Sequence, residues 1–225
     1  LFPEGLAHPL ISQNISFMTI MAATIVLGGL GFGTIHDLFS YRAVLMRRKN
    51  PWKHLKVNSK ISFYSTIVLI LVGSLFYGLL ENKEILDGLK IGSQSFLSFI
   101  QITIGRTAGF NIMEIGDLAL PTLLVLIILM FIGGASGSTA GGIKTSTFTL
   151  VLMNAISTIR GRKRVELFKH TIPVEMLNLA LSVFLFTLGG VLIGIFLLTI
   201  TDGHLGLIRI VFEQVSAFRT VGLSM

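Results

Sequence analysis

The chain has 225 residues, of which 52% are hydrophobic and only 13% charged, and its mean hydropathy is +0.81. Soluble domains carry roughly 25% charged residues, so this composition excludes a soluble globular domain and reads as a polytopic membrane protein; with the helical runs that follow, the expected fold class is all-α. The net charge of +7 falls in two short blocks instead of covering a soluble face, which gives no reason to expect nucleic acid, and the absence of cysteine rules out disulfides and thiolate metal sites.

Residues 1–10 carry two prolines and a glycine and read as a connecting loop. Ile11–Phe39 is the first long apolar segment, interrupted by Gly28-Gly-Leu-Gly-Phe-Gly33. Inside a membrane helix these glycines predict a kink or close helix packing, not a dinucleotide site. His36-Asp37 has no neighbouring ligand residues and reads as a polar helix-end pair. Tyr41–Lys60 is the first basic block, with Arg42, Arg47, Arg48, Lys49, Lys53, Lys56 and Lys60 and no acid; the positive-inside rule puts it in the cytoplasm. Ile61–Leu80 has the length of one span and leads into an acidic-leaning outside loop with Glu81, Glu84 and Asp87.

Ser93–Ile104 is apolar but about a dozen residues long, which suits a re-entrant helix better than a span. Arg106-Thr-Ala-Gly-Phe110 follows, then a polar loop over Asn111–Leu118. Leu120–Ile132 and Ile143–Ile159 are apolar runs too short to span alone, and joined they make one broken helix. It ends at the second basic block: Arg160, Arg162, Lys163, Arg164 and Lys169, with Glu166 the single acid. Ile172–Ile200 is the next span, Thr201-Asp-Gly-His204 an outside loop, and Leu207–Phe218 again a short apolar run, followed by Arg219-Thr-Val-Gly-Leu223.

The break in the helix is Gly133, Gly134, Ala135, Ser136, Gly137, Ser138, Thr139, Ala140, Gly141 and Gly142, then Ile143 and Lys144. Irregular backbone at membrane depth is tolerated where it is buried in protein or lines a watery cavity, and an intramembrane lysine points to function. The stretch therefore reads as a loop facing a polar pathway. Two competitors remain: a break that merely lets helices pack closely, and a phosphate loop. Gly137 and Gly142 have phosphate-loop spacing, but Ile143 intervenes before Lys144-Thr145, and such a loop requires a preceding strand.

A shift of 113 residues superposes the two short apolar units: Phe99 on Phe212, Gln101 on Gln214, Arg106-Thr107 on Arg219-Thr220, Gly109 on Gly222 and Phe110 on Leu223. The expected organisation is a parallel repeat of span, re-entrant helix, Thr-x-Gly stretch and broken span. A re-entrant helix aims its C-terminal partial negative charge at a pore, and the glycine-containing backbone after it can turn carbonyls inward in place of an ion's hydration shell. Arg106 and Arg219 would repel a cation in such a path. They are expected to be braces turned behind it, paired with Glu213 or with backbone carbonyls.

The sequence Gly133–Thr145, with Thr107-Ala-Gly-Phe-Asn111 and Ser216-Ala-Phe-Arg-Thr-Val-Gly-Leu-Ser224, resembles the membrane subunit of Trk/Ktr potassium uptake systems, which have four span–re-entrant–span repeats around one pore. The resemblance implies that residues 1–57 end repeat two, 58–170 form repeat three, and 171–225 form repeat four up to its filter. It implies that Thr107, Ala108, Gly109 and Phe110, with Thr220, Val221, Gly222 and Leu223, supply filter carbonyls for K+, and that Gly133–Gly142 is an intramembrane gate with Lys144 near its hinge. It further implies a multi-pass protein of the cell membrane, pairing as a homodimer under a cytoplasmic ring of nucleotide-binding regulatory subunits. Arg219 departs from the pattern, because many relatives have a small residue there.

The chain does not begin with methionine and stops just past an apolar segment, so it is expected to be a fragment covering about half of the family architecture. Filters one and two and the final helix lie outside it, and half a pore would not enclose an ion. Potassium transport leads the functional readings and catalysis is not expected. A non-conducting remnant or scaffold is the alternative, and a membrane nucleotide hydrolase using the glycine loop stands behind it. K+ versus Na+ preference is left open.

Overall fold

The computed structural model describes residues 14–40, 55–81, 91–110, 115–162, 164–168 and 170–225. Residues 1–10, most of the first basic block, Glu84, Asp87, Asn111, Lys163 and Lys169 lie outside the described residues.

Helix α1, Ile15–Leu30, begins at Asn14, whose side-chain oxygen accepts the N–H of Phe17 at 3.1 Å and so satisfies one of the free donors of the first turn. At Gly31 the chain bends by 103° into α2, Phe32–Phe39; the glycine has φ 76°, a conformation open to residues without a β-carbon. The expected kink is present. Helix α3, Val57–Leu80, is one uninterrupted span. Helix α4, Ile91–Thr107, has 17 residues, longer than the sequence suggested yet still short of the ~20 needed to cross a bilayer upright. A single tight turn at Ile115–Asp117 precedes α5, Leu120–Phe131, which accommodates Pro121 in its first turn, where the missing N–H is harmless. Helix α6 is Thr145–Ile159 and α7 is Val174–Asp202. The expected loop at 201–204 is instead the end of α7 and a short 3-10 turn, Gly203–Leu205. Helix α8 covers Leu207–Phe218.

Between α6 and α7 lies a small antiparallel hairpin, β1 Glu166–Leu167 and β2 His170–Thr171, where the sequence marked only the second basic block. Phe168 at its turn stacks on Tyr64 of α3, ring centroids 5.6 Å apart, and Lys60 Nζ lies 5.7 Å from the same ring. The hairpin is therefore seated on the start of α3. Asp37 of α2 reaches that region too, accepting Ser59 Oγ–H at 2.6 Å with Lys56 Nζ 3.8 Å away.

The core forms where α3, α4, α5 and α8 meet, around the fully buried Tyr77, Ile102, Leu126, Met130 and Phe212. Gly73 makes the contact close: a β-carbon there would lie 2.7 Å from Leu129 Cδ1 and 2.9 Å from Ile102 Cγ2, the usual way membrane helices approach one another. A second cluster joins Met18 and Ala22 of α1 to Ile100 and Ile104 of α4. Outside this core the long helices α3 and α7 present many large apolar side chains. Phe186 is 88% exposed, and Ile193 and Phe196 are exposed as well. A helix apolar on all sides belongs in lipid or in a protein interior. Helices α3 and α7 are each long and apolar enough to cross a membrane, and the bent α1–α2 pair makes a third candidate.

Candidate functional site

The glycine loop leaves α5 and returns to α6 through a narrow neck. Gly133 N–H donates to the Ile143 carbonyl at 2.6 Å and Thr145 N–H to the Gly134 carbonyl at 3.0 Å. Ile132 and Ile143 form a parallel bridge. The buried base of the loop is Gly133, Gly134, Ala135 and Ala140; the tip exposes Ser136, Gly137 and Thr139, with Ser138 partly covered. The tip is tied to the bend of α1: Ala135 N–H donates to the Gly29 carbonyl at 2.8 Å, and Phe32 N–H to the Gly137 carbonyl at 3.2 Å. Ser136 and Ser146 hydroxyls meet at 3.0 Å. Lys144 precedes α6 and turns its ammonium back onto the loop, donating to the Ala140 carbonyl at 2.7 Å.

This geometry bears on the phosphate-loop alternative. An anion cradle needs a run of backbone N–H groups aimed at the ligand. Here the N–H groups of Gly133, Ala135, Ser138 and Thr145 all donate to protein carbonyls, and the element before the loop is helix α5, not a strand.

The two Thr-x-Gly stretches meet beside the neck. Gly109 has φ 65°, and a β-carbon on it would overlap the carbonyl oxygen of Val221; the approach requires glycine on both grounds. Ala108 is half-buried against the α1–α4 cluster, and Phe110 is exposed. In the second stretch the N–H groups of Thr220 and Val221 donate back to Ala217 and Ser216 of α8. Ser216 Oγ–H donates to the Leu223 carbonyl at 2.6 Å, so one lone pair of that carbonyl is committed to its own helix. Val221 and Leu223 are buried, Thr220 and Gly222 exposed. Thr220 holds φ 56°, a strained conformation for a β-branched residue and the sort of strain found at functional sites.

Both arginines turn to backbone carbonyls, one of the two partner types expected. Arg106 Nη2–H donates to the Gly133 carbonyl at 3.3 Å. Arg219, 1% exposed, donates through Nε to Gly141 at 3.2 Å and through Nη1 to Leu129 at 2.9 Å and to Met130. Glu213 is not its partner: that carboxylate accepts Ser224 Oγ–H at 2.7 Å and Met225 N–H at 2.8 Å. The glycine loop fits against this side chain, since a β-carbon at Gly142 would lie 2.7 Å from Arg219 Cδ.

Three supporting residues have roles that the sequence did not assign to them. Glu81, read as an outside-loop residue, is fully buried and accepts Ala119 N–H at 3.0 Å, capping the start of α5. Gly29 and Ser216 act through a carbonyl and a hydroxyl that no pattern marks. Glu81 carried a faint signal, an acid directly at the end of a span; Gly29 and Ser216 lie in stretches the sequence marked, but nothing there pointed to these contacts.

The fold and this arrangement define an all-α, multi-pass membrane protein in which two short apolar helices end in glycine-containing stretches beside a broken helix. The TrkH family model, described as a cation transport protein, matches residues 11–225, and the chain belongs to that family. It is 34% identical over 226 residues to the Ktr system potassium uptake protein B of Vibrio alginolyticus, covering 100% of this chain and 48% of that protein. It is 32% identical over 220 residues to the potassium/sodium uptake protein NtpJ of Enterococcus hirae, covering 94% and 46%. Among solved structures, the potassium transporter TrkH from Vibrio parahaemolyticus shares its fold with a TM-score of 0.70 at 17% identity, over 89% of this chain and 42% of that one. The chain thus spans about half the length of the relatives it matches.

Proposed function

We propose that the chain contributes two of the filter segments and the gate of a potassium uptake pore of the Trk/Ktr type. The observation that carries this reading is the meeting of Gly109 with Val221 beside the neck of the glycine loop: two matched stretches from two re-entrant helices, next to irregular backbone held at membrane depth. In this reading Thr107–Phe110 and Thr220–Leu223 line the ion path with carbonyls, which replace water around a dehydrated K+. The N–H groups of Thr220 and Val221 turn to α8, away from the cation. Residues 133–142 lie across the path as the gate, with Lys144 at the hinge. Residues 1–57, 58–170 and 171–225 are the end of one repeat, a complete repeat and the start of the next.

The exposed arginines 160, 162 and 164 beside the hairpin are the surface on offer to a cytoplasmic nucleotide-binding ring, and pairing as a homodimer belongs to the same reading. The Enterococcus relative, named for both potassium and sodium uptake, makes the ion preference the first thing to measure.

The test is rubidium uptake into liposomes carrying the protein as natively encoded, competed by K+ or Na+, for wild type and Gly109→Ser. Selective uptake that the substitution relaxes or abolishes supports the reading. Selective uptake that it leaves unchanged removes Gly109 from the filter. A folded protein without uptake favours the scaffold alternative.

A further inference from the structure

Arg106 and Arg219 occupy equivalent places in the sequence repeat, yet they grip opposite ends of a single loop. Arg106 holds the carbonyl of Gly133, where the loop begins. Arg219 holds Gly141, near its end, and at the same time the carbonyls of Leu129 and Met130 in the last turn of α5. Among the described residues no carboxylate pairs with Arg219. Its counter-charge is the C-terminal end of α5, where unsatisfied carbonyls concentrate partial negative charge.

The guanidinium is a planar fork with donors on several atoms, so it can join two separate backbone segments at once; an ammonium is a single point donor on a flexible stem. Arg219 also immediately precedes Thr220. Its own carbonyl accepts the Thr220 hydroxyl at 2.6 Å and lies 2.6 Å from where a β-carbon of Gly141 would be. Loop and Thr-x-Gly stretch therefore share one anchoring residue.

We propose that Arg219 is a latch: a positioning residue that fastens the return limb of the glycine loop to the end of α5, so that release of its guanidinium is what lets the loop move aside. The latch rests on the pore reading above. It is distinct from a charge barrier, in which the positive side chain simply repels cations. The geometry favours the latch, because the Nε and Nη1 donors are directed onto carbonyls of α5 and of the loop, and the side chain is enclosed.

Arg219→Lys separates the two ideas, because it keeps the charge and loses the fork; Arg219→Gln removes both. Each is made in the natively encoded protein and read in two ways, with monodisperse elution in detergent as the folding control. The first readout is initial rubidium uptake with its K+/Na+ competition ratio. The second is the thiol-labelling rate of Ala140→Cys, a loop position buried in the intact structure. The latch predicts that Lys and Gln both raise uptake and labelling, on the order of tenfold, the equilibrium equivalent of about one charge-assisted hydrogen bond, with the competition ratio unchanged. Uptake raised by Gln but not by Lys overturns the latch in favour of a charge barrier. So does labelling that neither substitution alters, whatever the flux. Raised labelling in a protein whose wild type carries no cation keeps the latch and overturns the pore reading.

Discussion

The α-carbon of Gly31 faces the carbonyl of Ser136 so closely that a β-carbon would lie 2.7 Å from that oxygen. The bend between α1 and α2 and the tip of the glycine loop are thus fitted to one another across more than a hundred residues of sequence. Gly31→Ala must both strain a backbone at φ 76° and push the tip away, at a cost of about 1–3 kcal/mol. Gly33, with nothing within 4 Å of a β-carbon, is the control. Thermal unfolding in detergent is expected to show a lower Tm for Gly31→Ala, with Gly33→Ala close to wild type. Equal Tm values for the two would show that tip and bend are not packed together.

Glu81 joins the end of α3 to the start of α5 through Ala119 N–H. A carboxylate near a helix N-terminus is favoured by the helix dipole as well as by the hydrogen bond. Glu81→Ala is expected to destabilise the protein by about 1–2 kcal/mol, the usual cost of a lost N-terminal cap. Glu81→Gln keeps an acceptor and should recover part of that loss. Chemical denaturation of the three proteins tests the order; Ala and Gln variants equally unstable would assign the effect to charge alone.

At Gly73 the helices leave no room for a larger side chain. Gly73→Leu overpacks the contact with Leu129 and Ile102, and overpacking costs about 1–3 kcal/mol. Leu129→Ala opens space on the facing helix. The double variant should be more stable than the sum of the two single effects predicts, because residues in contact do not behave additively. Strict additivity in a double-mutant cycle would remove this contact from the core.

Thr220 stores backbone strain at φ 56°, relieved when the β-carbon is absent. Thr220→Gly is expected to raise stability by about 1 kcal/mol. It also removes the hydroxyl that fixes the Arg219 carbonyl and loosens the stretch proposed to select the ion, so the K+/Na+ competition ratio should fall while Tm rises. A lower Tm would mean that Thr220 is held there by packing worth more than its strain.

Much of this molecule was legible in the chain. Hydropathy and length located α3, α7 and α8 within a few residues, because lipid accepts little besides long apolar helices. The 113-residue shift paired Gly109 with Gly222, and both have positive φ; a requirement for glycine is written directly in the residue type. The hairpin at 166–171 was not legible, since its short strands form because Phe168 finds Tyr64 and Lys60 on another element.

The sequence by itself determined that the chain is a multi-pass membrane protein with two repeated Thr-x-Gly units and one long glycine break, because burial in lipid and positive-φ backbone each restrict which residues fit. Only the tertiary structure decided what holds the break in place. Arg106 and Arg219 look alike in the repeat, but they bind backbone carbonyls at different ends of one loop, and Gly29 joins in through a carbonyl that every residue type possesses. A backbone acceptor leaves no mark in a sequence, so a loop fastened through such acceptors shows its fastenings only once the helices are brought together.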